Sequence, residues 1–375
     1  MILSDKVFRE DEKAIYKLRE LYSKYGYNHY RVSKFEEYDL YARNKSFLVS
    51  ENLLTFTDTN GKLMALKPDV TLSIIKNAVA SEKASYKLYY DERVYRTTSS
   101  GDGFREIMQT GLECIGSIDL FSQCEALMLA MRSLESISED YLLDLSHMSF
   151  IEGLLEEAGV SVDGMSDMLA LVGSKNIPAI KAMCAERGIS NDNCMKLCAV
   201  TSMYLPIEKA LEKLESFVVG EKMSKAYGEL CEIYKVMALY GLSSKLYLDF
   251  SVVNDMNYYD GIIFKGFVNG IPDSILSGGR YDRLVEKFGK KTEAIGFAVY
   301  LDKLERIGGA SDAYDIDIML LYENDVPEQK IIEAVTLFSE SGKTVRTVNV
   351  PDTSVRYRQL VKFGKEGIKI LEAND

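Results

Sequence analysis

The sequence predicts an α+β protein built on an antiparallel sheet, and three features of its pattern support this. Strand-like and helix-like segments are grouped in runs over most of the chain, which favours antiparallel pairing. Two pairs of strand-like segments are each joined by a turn-rich tip, one at the Asn60-Gly61 dipeptide and one at TTSSGDG. Only the stretch 314–375 alternates strands with helices, as small parallel α/β units do.

The N-terminal part of the chain predicts helices on either side of two hairpins. DEKAIYKLRELYSKYGY has apolar residues at helical spacing and reaches a plausible stop at Gly26. The first hairpin follows, and TLSIIKNAVASEK is helical in period. KLYYDERVYR and EIMQTGLECIG are the strands of the second hairpin, QCEALMLAMRSL is a helix, and YLLDLSHMSF contains a strand end.

The stretch from about 150 to 240 is almost entirely helical in period and predicts a helical insertion. Strands return in KLYLDFSVVND, YYDGIIFKGFVNG and PDSILSGGRYDRLVEKFG, the last running into a helix, and AIGFAVYLDKLERI is a closing strand and helix. For the tail we predict strands in DIDIMLLY, TVRTVNV and IKILEA and helices in EQKIIEAVTLFSESG and RYRQLVKFG. The expected domains are therefore 1–310 and 314–375.

Composition excludes several classes of protein. The 47% hydrophobic and 27% charged content is ordinary for a globular protein, and no apolar run approaches the ~18 residues of a membrane span. The charged start lacks the apolar core of a secretory signal, so we expect a cytoplasmic protein. Six cysteines without CxxC spacing and only two histidines make a metal site unexpected. A net charge of -12 argues against general binding to nucleic acid.

Five motifs spread over nearly the whole chain resemble those of histidyl-tRNA synthetases and of their paralogue, the regulatory subunit of ATP phosphoribosyltransferase. LKPDVT resembles the LRPE-x-T strand end, and VYR with GFREIMQTGLECIG resembles motif 2. MNYYDGIIF resembles LDYYTGTVFE, LSGGRYDRLVEKFG resembles GGRYDGL, and AIGFAVYLDKL resembles motif 3. The resemblance implies a class II aminoacyl-tRNA synthetase-like sheet of six or seven antiparallel strands flanked by helices. It also implies a helical insertion and a truncated anticodon-binding-like α/β unit.

The positions that handle ATP in that family are altered here. Arg96 matches the motif 2 arginine that clamps the ATP α-phosphate and the amino-acid carboxylate, the alternative being a strand-end arginine in a surface ion pair. Arg105 is either a remnant contact or the partner of a carboxylate elsewhere on the hairpin. Asn254 replaces the histidine-specific arginine, and Tyr300 replaces a glycine. Lys303 stands where the family has an arginine on the γ-phosphate, the alternative being a lysine on a helix surface. We therefore expect poor ATP binding and no catalytic residues.

The amino-acid side of the implied pocket is better preserved. Gln109 and Glu113 lie four residues apart on a predicted strand. Because side chains along a strand alternate between its two faces, both are expected on the same face. Asp69 matches a glutamate that meets the ligand's α-amino group. The alternative is a buried polar cluster that only stabilises the sheet. The expected remnant histidine pocket comprises Asp69, Thr71, Arg96, Gln109, Glu113, Tyr258, Tyr259 and Arg280.

The resemblance and the departures from it together imply a non-catalytic regulatory subunit. Such a subunit partners the short catalytic subunit of ATP phosphoribosyltransferase in the first step of histidine biosynthesis and confers feedback by histidine. The resemblance also implies a homodimer through the motif 1 region, histidine as a candidate ligand, and no cofactor, tRNA or membrane. Two alternatives stay open: a divergent histidyl-tRNA synthetase, and an orphan paralogue that binds another amino acid.

Overall fold

The computed structural model describes residues 8–44, 53–77, 85–97, 103–253, 258–306, 314–364 and 367–374. The chain divides into two compact units, residues 1–307 and 308–375. Two clusters of buried apolar side chains form the core of the first unit, and a third cluster forms the core of the second. None of the helices in the described ranges combines the length and the apolar character that a membrane span requires.

Twelve strands are described in the first unit, and nine of them form one sheet. The strands are β1 (Asn28–His29), β2 (Phe35–Glu37), β3 (Thr55–Thr57), β4 (Leu63–Leu66), β5 (Tyr86–Thr97), β6 (Phe104–Gly116), β7 (Tyr141–His147), β8 (Tyr204–Pro206), β9 (Leu246–Asp249), β10 (Ile262–Val268), β11 (Leu276–Arg280) and β12 (Glu293–Tyr300). The large sheet has the order β1-β5-β6-β12-β11-β10-β7-β9-β8, and β2-β4-β3 form a small sheet. All pairs in the large sheet are antiparallel except β1 with β5 and β7 with β9.

The two predicted hairpins are confirmed. β3 and β4 pair across the turn that contains Asn60 and Gly61, where Gly61 has a φ of +80° that a residue with a side chain rarely adopts. β5 and β6 pair over their whole length and form the longest ladder of the sheet, from Tyr86 opposite Ile115 to Thr97 opposite Phe104. Between the two hairpins, the helix predicted in TLSIIKNAVASEK is present up to residue 77, and its remainder lies outside the described residues.

Helices cover the sheet and build the insertion. They are α1 (Glu10–Lys24), α2 (Tyr38–Ala42), α3 (Thr71–Asn77), α4 (Leu120–Ile137), α5 (Met148–Glu157), α6 (Val162–Gly173), α7 (Ile177–Glu186), α8 (Asn191–Thr201), α9 (Ile207–Leu214), α10 (Gly220–Leu239) and α11 (Asp282–Lys287). α5 to α10 form the predicted insertion, but β8 lies within it and pairs with β9, so the insertion is not wholly helical. The predicted closing helix is a 3-10 helix over Leu301–Arg306.

Two apolar clusters hold the helices to the large sheet. α4 lies in the larger cluster, where Leu127 and Leu134 are fully buried. In the smaller cluster α3 and α11 meet β5 and β12 through Ile75, Leu284 and Val94, which are also fully buried. Burying such side chains stabilises the folded state by about 1.5–3 kcal/mol each. This second cluster anchors α3 and α11 at the ends of the strands that carry the polar site described below.

The second unit is a four-stranded sheet with one described helix. Its elements are β13 (Ile316–Tyr322), α12 (Glu328–Glu340), β14 (Val345–Val348), β15 (Tyr357–Gly364) and β16 (Gly367–Ala373), in the strand order β14-β13-β15-β16. The helix predicted in RYRQLVKFG is wrong, because this segment is β15 and pairs in parallel with β13. Val361 and Phe363, two residues apart, join Ile318 and Leu320 in the core of this unit, which requires the period of a strand.

Candidate functional site

A polar cavity of about 190 Å³ lies on the central strands of the large sheet. Its walls come from β5, β6, β10, β11 and β12, and from the residues at the start of α3. Seven of the eight predicted pocket residues line it. These seven are Asp69, Thr71, Arg96, Gln109, Glu113, Tyr258 and Tyr259. The structure therefore brings together side chains that are up to 190 positions apart in the sequence.

Glycines make room for the cavity by leaving parts of the sheet surface bare. In the register of the sheet, Gly296 of β12 stands beside Glu113 of β6 and beside Gly279 of β11. A Cβ atom at Gly296 would overlap the Glu113 carboxylate, and one at Gly111 would overlap the ring of Tyr90. These two positions need glycine because a larger residue would displace the polar side chains that lie across them.

Glu113 is buried at the bottom of the cavity and is bonded on both oxygens. The hydroxyl of Thr71 donates to Oε1 at 2.7 Å, and the hydroxyl of Tyr281 donates to Oε2. Burial raises the pKa of Glu113 to about 8, although these two hydrogen bonds act to lower it. At pH 7 this carboxyl group is therefore mostly protonated, and it acts as a neutral hydrogen-bonding group towards a ligand.

Asp69 and Arg96 are the oppositely charged pair of the cavity wall. Asp69 Oδ1 accepts a hydrogen bond from the backbone N–H of Leu72 at 3.0 Å, at the first turn of α3. Burial raises the pKa of Asp69, and the positive charge of Arg96 partly opposes this. Arg96 is buried and donates from Nε to the carbonyl of Pro68 at 2.8 Å. Its terminal nitrogens form no ion pair with any residue in the described ranges, so they remain available to a ligand carboxylate.

Gln109 supplies a second unsatisfied donor. Its side chain is 2% exposed, and Nε2 has no hydrogen-bond partner in the described part of the chain. A buried donor without a partner destabilises the folded protein by about 1–3 kcal/mol, so a ligand acceptor or water at this position would restore the lost bond. Beside it, Tyr258 and Tyr259 pack edge to face with ring centres 4.5 Å apart. The cavity thus has aromatic walls and polar groups at fixed positions.

Arg280 is the one predicted pocket residue that does not line the cavity. Its Nε bonds Asp282 at 2.8 Å, and its terminal nitrogen bonds Glu293, so the guanidinium is held in a network between β11, α11 and β12. Asp282 and Glu293 thus hold this side chain outside the cavity lining, and a role of Arg280 in ligand binding stays a prediction. Asn254 lies outside the described residues.

The cationic residues expected on the ATP side are bonded to other parts of the protein. Arg105 forms an ion pair with Asp302 at 2.8 Å, so its partner is a carboxylate, but one in the 3-10 helix Leu301–Arg306 and not on the hairpin as the alternative had it. Lys303 donates to the carbonyl of Ser274 at 2.7 Å, and its ammonium lies 5.4 Å from the ring centre of Tyr300. Neither Arg105 nor Lys303 lines the cavity, whereas Tyr300 does.

Several lining residues were not predicted from the sequence, among them Tyr90, Lys265, Ser277 and Tyr281. The signal for Lys265 was present, because YYDGIIFK has lysine where LDYYTGTVFE has glutamate. Ser277 stands directly beside Lys265 in the register of β10 and β11, which the sequence does not reveal. Among the described residues, no group of three or more His, Cys, Asp or Glu side chains is arranged to hold a metal ion.

Known proteins with the same fold and motifs identify the family. A family model described as histidyl-tRNA synthetase matches residues 3–304. The ATP phosphoribosyltransferase regulatory subunit of Caldanaerobacter subterraneus subsp. tengcongensis is 31% identical over 77% of this chain and 76% of its own length. That of Acetivibrio thermocellus is 30% identical over 76% of this chain and 69% of its own length.

Solved structures agree on the fold. A regulatory subunit/histidyl-tRNA synthetase from Bacillus halodurans superposes with a TM-score of 0.76 at 22% identity, covering 97% of this chain and 96% of that one. A chain of the ATP phosphoribosyl transferase (HisG:HisZ) complex from Thermotoga maritima gives a TM-score of 0.62 at 18% identity, covering 78% and 97%. The solved structures show the shared fold, and the family model with the two curated relatives shows that the chain belongs to the histidyl-tRNA synthetase-like family of ATP phosphoribosyltransferase regulatory subunits.

Proposed function

We propose that this chain acts as the non-catalytic regulatory subunit of ATP phosphoribosyltransferase, in the cytoplasm, and binds the short catalytic subunit in the first step of histidine biosynthesis. The observation that carries the proposal is that Arg105 and Lys303, the described cations expected on the ATP side, do not line the cavity. Arg105 and Lys303 are bonded within the protein. Adenylate formation needs cations that stabilise the charge of the transferring phosphate, and losing one such contact typically costs about 2.7–4 kcal/mol of transition-state stabilisation.

The cavity supports a second part of the proposal, the binding of a free amino acid. Arg96 would hold the α-carboxylate through its terminal nitrogens, and Asp69 would accept from the ammonium group. Gln109 and the protonated Glu113 would face the side chain of the ligand. Histidine is the first ligand to test, because a neutral imidazole has one donor and one acceptor nitrogen to meet these two groups.

A third part concerns assembly, for which we propose a homodimer through the motif 1 region. The resemblance places the start of motif 1 at Ser33, so β2 belongs to that region, and the small sheet β2-β4-β3 exposes apolar side chains there. Phe35 is 47% exposed, Leu63 is 48% exposed, and the rings of Phe35 and Phe56 are in edge-to-face contact at 5.5 Å. Exposed apolar residues clustered in this way are typical of a protein interface.

Feedback by histidine would require that the ligand favours one arrangement of the whole complex.

The decisive experiment mixes the purified chain with the short catalytic subunit and measures phosphoribosyl-ATP formation with and without histidine. Activity that appears only in the mixture and falls when histidine is added supports the regulatory function. If no complex forms and activity is unchanged, the proposal fails. ATP–pyrophosphate exchange by this chain alone would instead support a divergent synthetase.

A matched pair of variants tests the cavity within the same assay. Arg96→Gln removes the proposed carboxylate contact, whereas Arg93→Gln removes an exposed arginine of the same strand that pairs with Glu106. We expect Arg96→Gln to weaken the response to histidine at least tenfold, as the loss of a charge-assisted hydrogen bond of about 1.5–3 kcal/mol implies. Arg93→Gln should respond as the wild type does. Equal histidine responses of the two variants would place the inhibitory site elsewhere in the complex.

A further inference from the structure

One lysine of the cavity is not explained by its resemblance to a synthetase pocket. Lys265 lies in the middle of β10, is half-buried and lines the cavity. In the register of the sheet it stands between Ser277 of β11 and Asp144 of β7. Its ammonium group has no hydrogen bond or ion pair with another residue of the described ranges. A partly desolvated ammonium facing a cavity favours an anionic ligand group at that place.

The charged residues that line the cavity do not compensate this lysine. The one negative charge that Asp69 can carry offsets at most the charge of Arg96, and burial keeps Glu113 mostly protonated at pH 7. Asp144 stands beside Lys265 in the register but does not line the cavity, and burial raises its pKa to about 6, so at pH 7 it is mostly ionised and partly compensates Lys265 from outside the lining. Among the lining residues, the cavity therefore carries one positive charge in excess. A zwitterionic ligand with one additional negative charge complements it.

Tyr300 lies close to Arg96 and is connected to the neighbour of Lys265. The guanidinium carbon of Arg96 lies 6.0 Å from the centre of the Tyr300 ring. The hydroxyl of Tyr300 shares a hydrogen bond of 2.7 Å with Ser277 Oγ, and Ser277 stands beside Lys265. The buried amide of Gln109 is opposite Tyr300 in the ladder of β6 and β12. Arg96 and Lys265 thus line the same cavity, with Tyr300 and Ser277 as further lining residues between their strands.

We propose that Lys265 makes the cavity selective for amino acids that carry a second acidic group. The α-carboxylate binds Arg96, the ammonium binds Asp69, and the side-chain carboxylate binds Lys265. The inference rests on the proposed amino-acid cavity and adds the chemical class of ligand that it prefers. It also implies that histidine binds less tightly when its imidazole is protonated, since a second cation then faces Lys265.

The test measures binding of amino-acid pairs of equal shape to the full chain by isothermal titration calorimetry and thermal shift. Glutamate and glutamine form one pair, aspartate and asparagine the other, and histidine is included as a reference. We expect the better acidic ligand to bind about tenfold or more tightly than its amide, as a charge-assisted hydrogen bond implies. Lys265→Gln should abolish this preference and Lys265→Arg should retain it. Lys209→Gln, which changes an exposed lysine of α9, should behave as the wild type.

The outcomes separate the inference from the proposed function. Equal binding of acid and amide by the wild-type chain, or an unchanged preference in Lys265→Gln, would overturn the inference. If histidine binds and neither acidic amino acid does, the amino-acid cavity stands and the selectivity fails. If no amino acid binds, both the cavity and its selectivity fail. Activation of the catalytic subunit tests the regulatory function independently of all three results.

Discussion

Replacing Glu113 by glutamine should change how the stability of the protein depends on pH. In the folded state this carboxyl keeps its proton up to about pH 8, whereas its ordinary pKa is 4.5. Between these values the folded state binds more protons than the unfolded chain, so the free energy of unfolding falls as the pH rises. At about 1.36 kcal/mol per unit, the difference of 3.5 units between 4.5 and 8 gives a loss of about 5 kcal/mol. Glutamine does not titrate, so a glutamine at this position contributes no such change of stability with pH.

The assay is urea denaturation at pH 5, 6.5 and 8, followed by far-UV circular dichroism because the chain has no tryptophan. From pH 5 to pH 8 the stability of Glu113→Gln relative to the wild type should rise by about 4 kcal/mol, on the same slope of about 1.36 kcal/mol per unit. Glu139→Gln, an exposed glutamate, serves as the control and should follow the wild type. If the free energies of unfolding of Glu113→Gln and the wild type change with pH in the same way, Glu113 is ionised in the folded protein and the reasoning is refuted.

Two further predictions concern stability and are checked by urea denaturation of each variant. Gly296→Ala should destabilise the protein by about 1–3 kcal/mol, because its Cβ would overlap a buried carboxylate, whereas Gly228→Ala on the exposed side of α10 should stabilise it by about 0.5–1 kcal/mol. Equal effects would contradict the close packing of the cavity floor. Glu92→Ala should cost about 3–5 kcal/mol by leaving the fully buried Lys67, 2.5 Å away, without its ion-pair partner. Lys67→Met combined with Glu92→Leu should recover most of this loss, and no recovery would show that the damage is not electrostatic.

The parts of the fold that the sequence predicted correctly are determined by residues close to one another in the chain. The first hairpin has a turn dipeptide with the required glycine conformation, and Gln109 and Glu113 share a face because strands repeat every two residues. β15 was missed because its strand conformation comes from pairing with β13, which is distant in sequence. β8 was missed because Tyr204–Pro206 is too short to show a period. In both cases long-range pairing overrode the local pattern.

The sequence predicted the lining residues that belong to family motifs. It did not predict those that become neighbours only when distant strands pair. Seven of the eight expected pocket residues line the cavity, since each belongs to a recognisable motif. Arg280 also belongs to a motif, yet Asp282 and Glu293 hold its side chain outside the cavity lining. Lys265 and Ser277 become neighbours only when β10 and β11 pair, and no spacing within either segment indicates it.

The short strand β8 determines what would happen if the insertion were trimmed. It covers the outer edge of β9, and Pro206 at its end has no N–H group to offer to a further strand. A truncated protein without residues 150–240 would expose the backbone donors and acceptors of β9 along that edge. Exposed edges of this kind recruit strands from other molecules, so such a protein would aggregate unless the new edge were charged or capped. The insertion thus supplies the strand that protects this edge of the sheet.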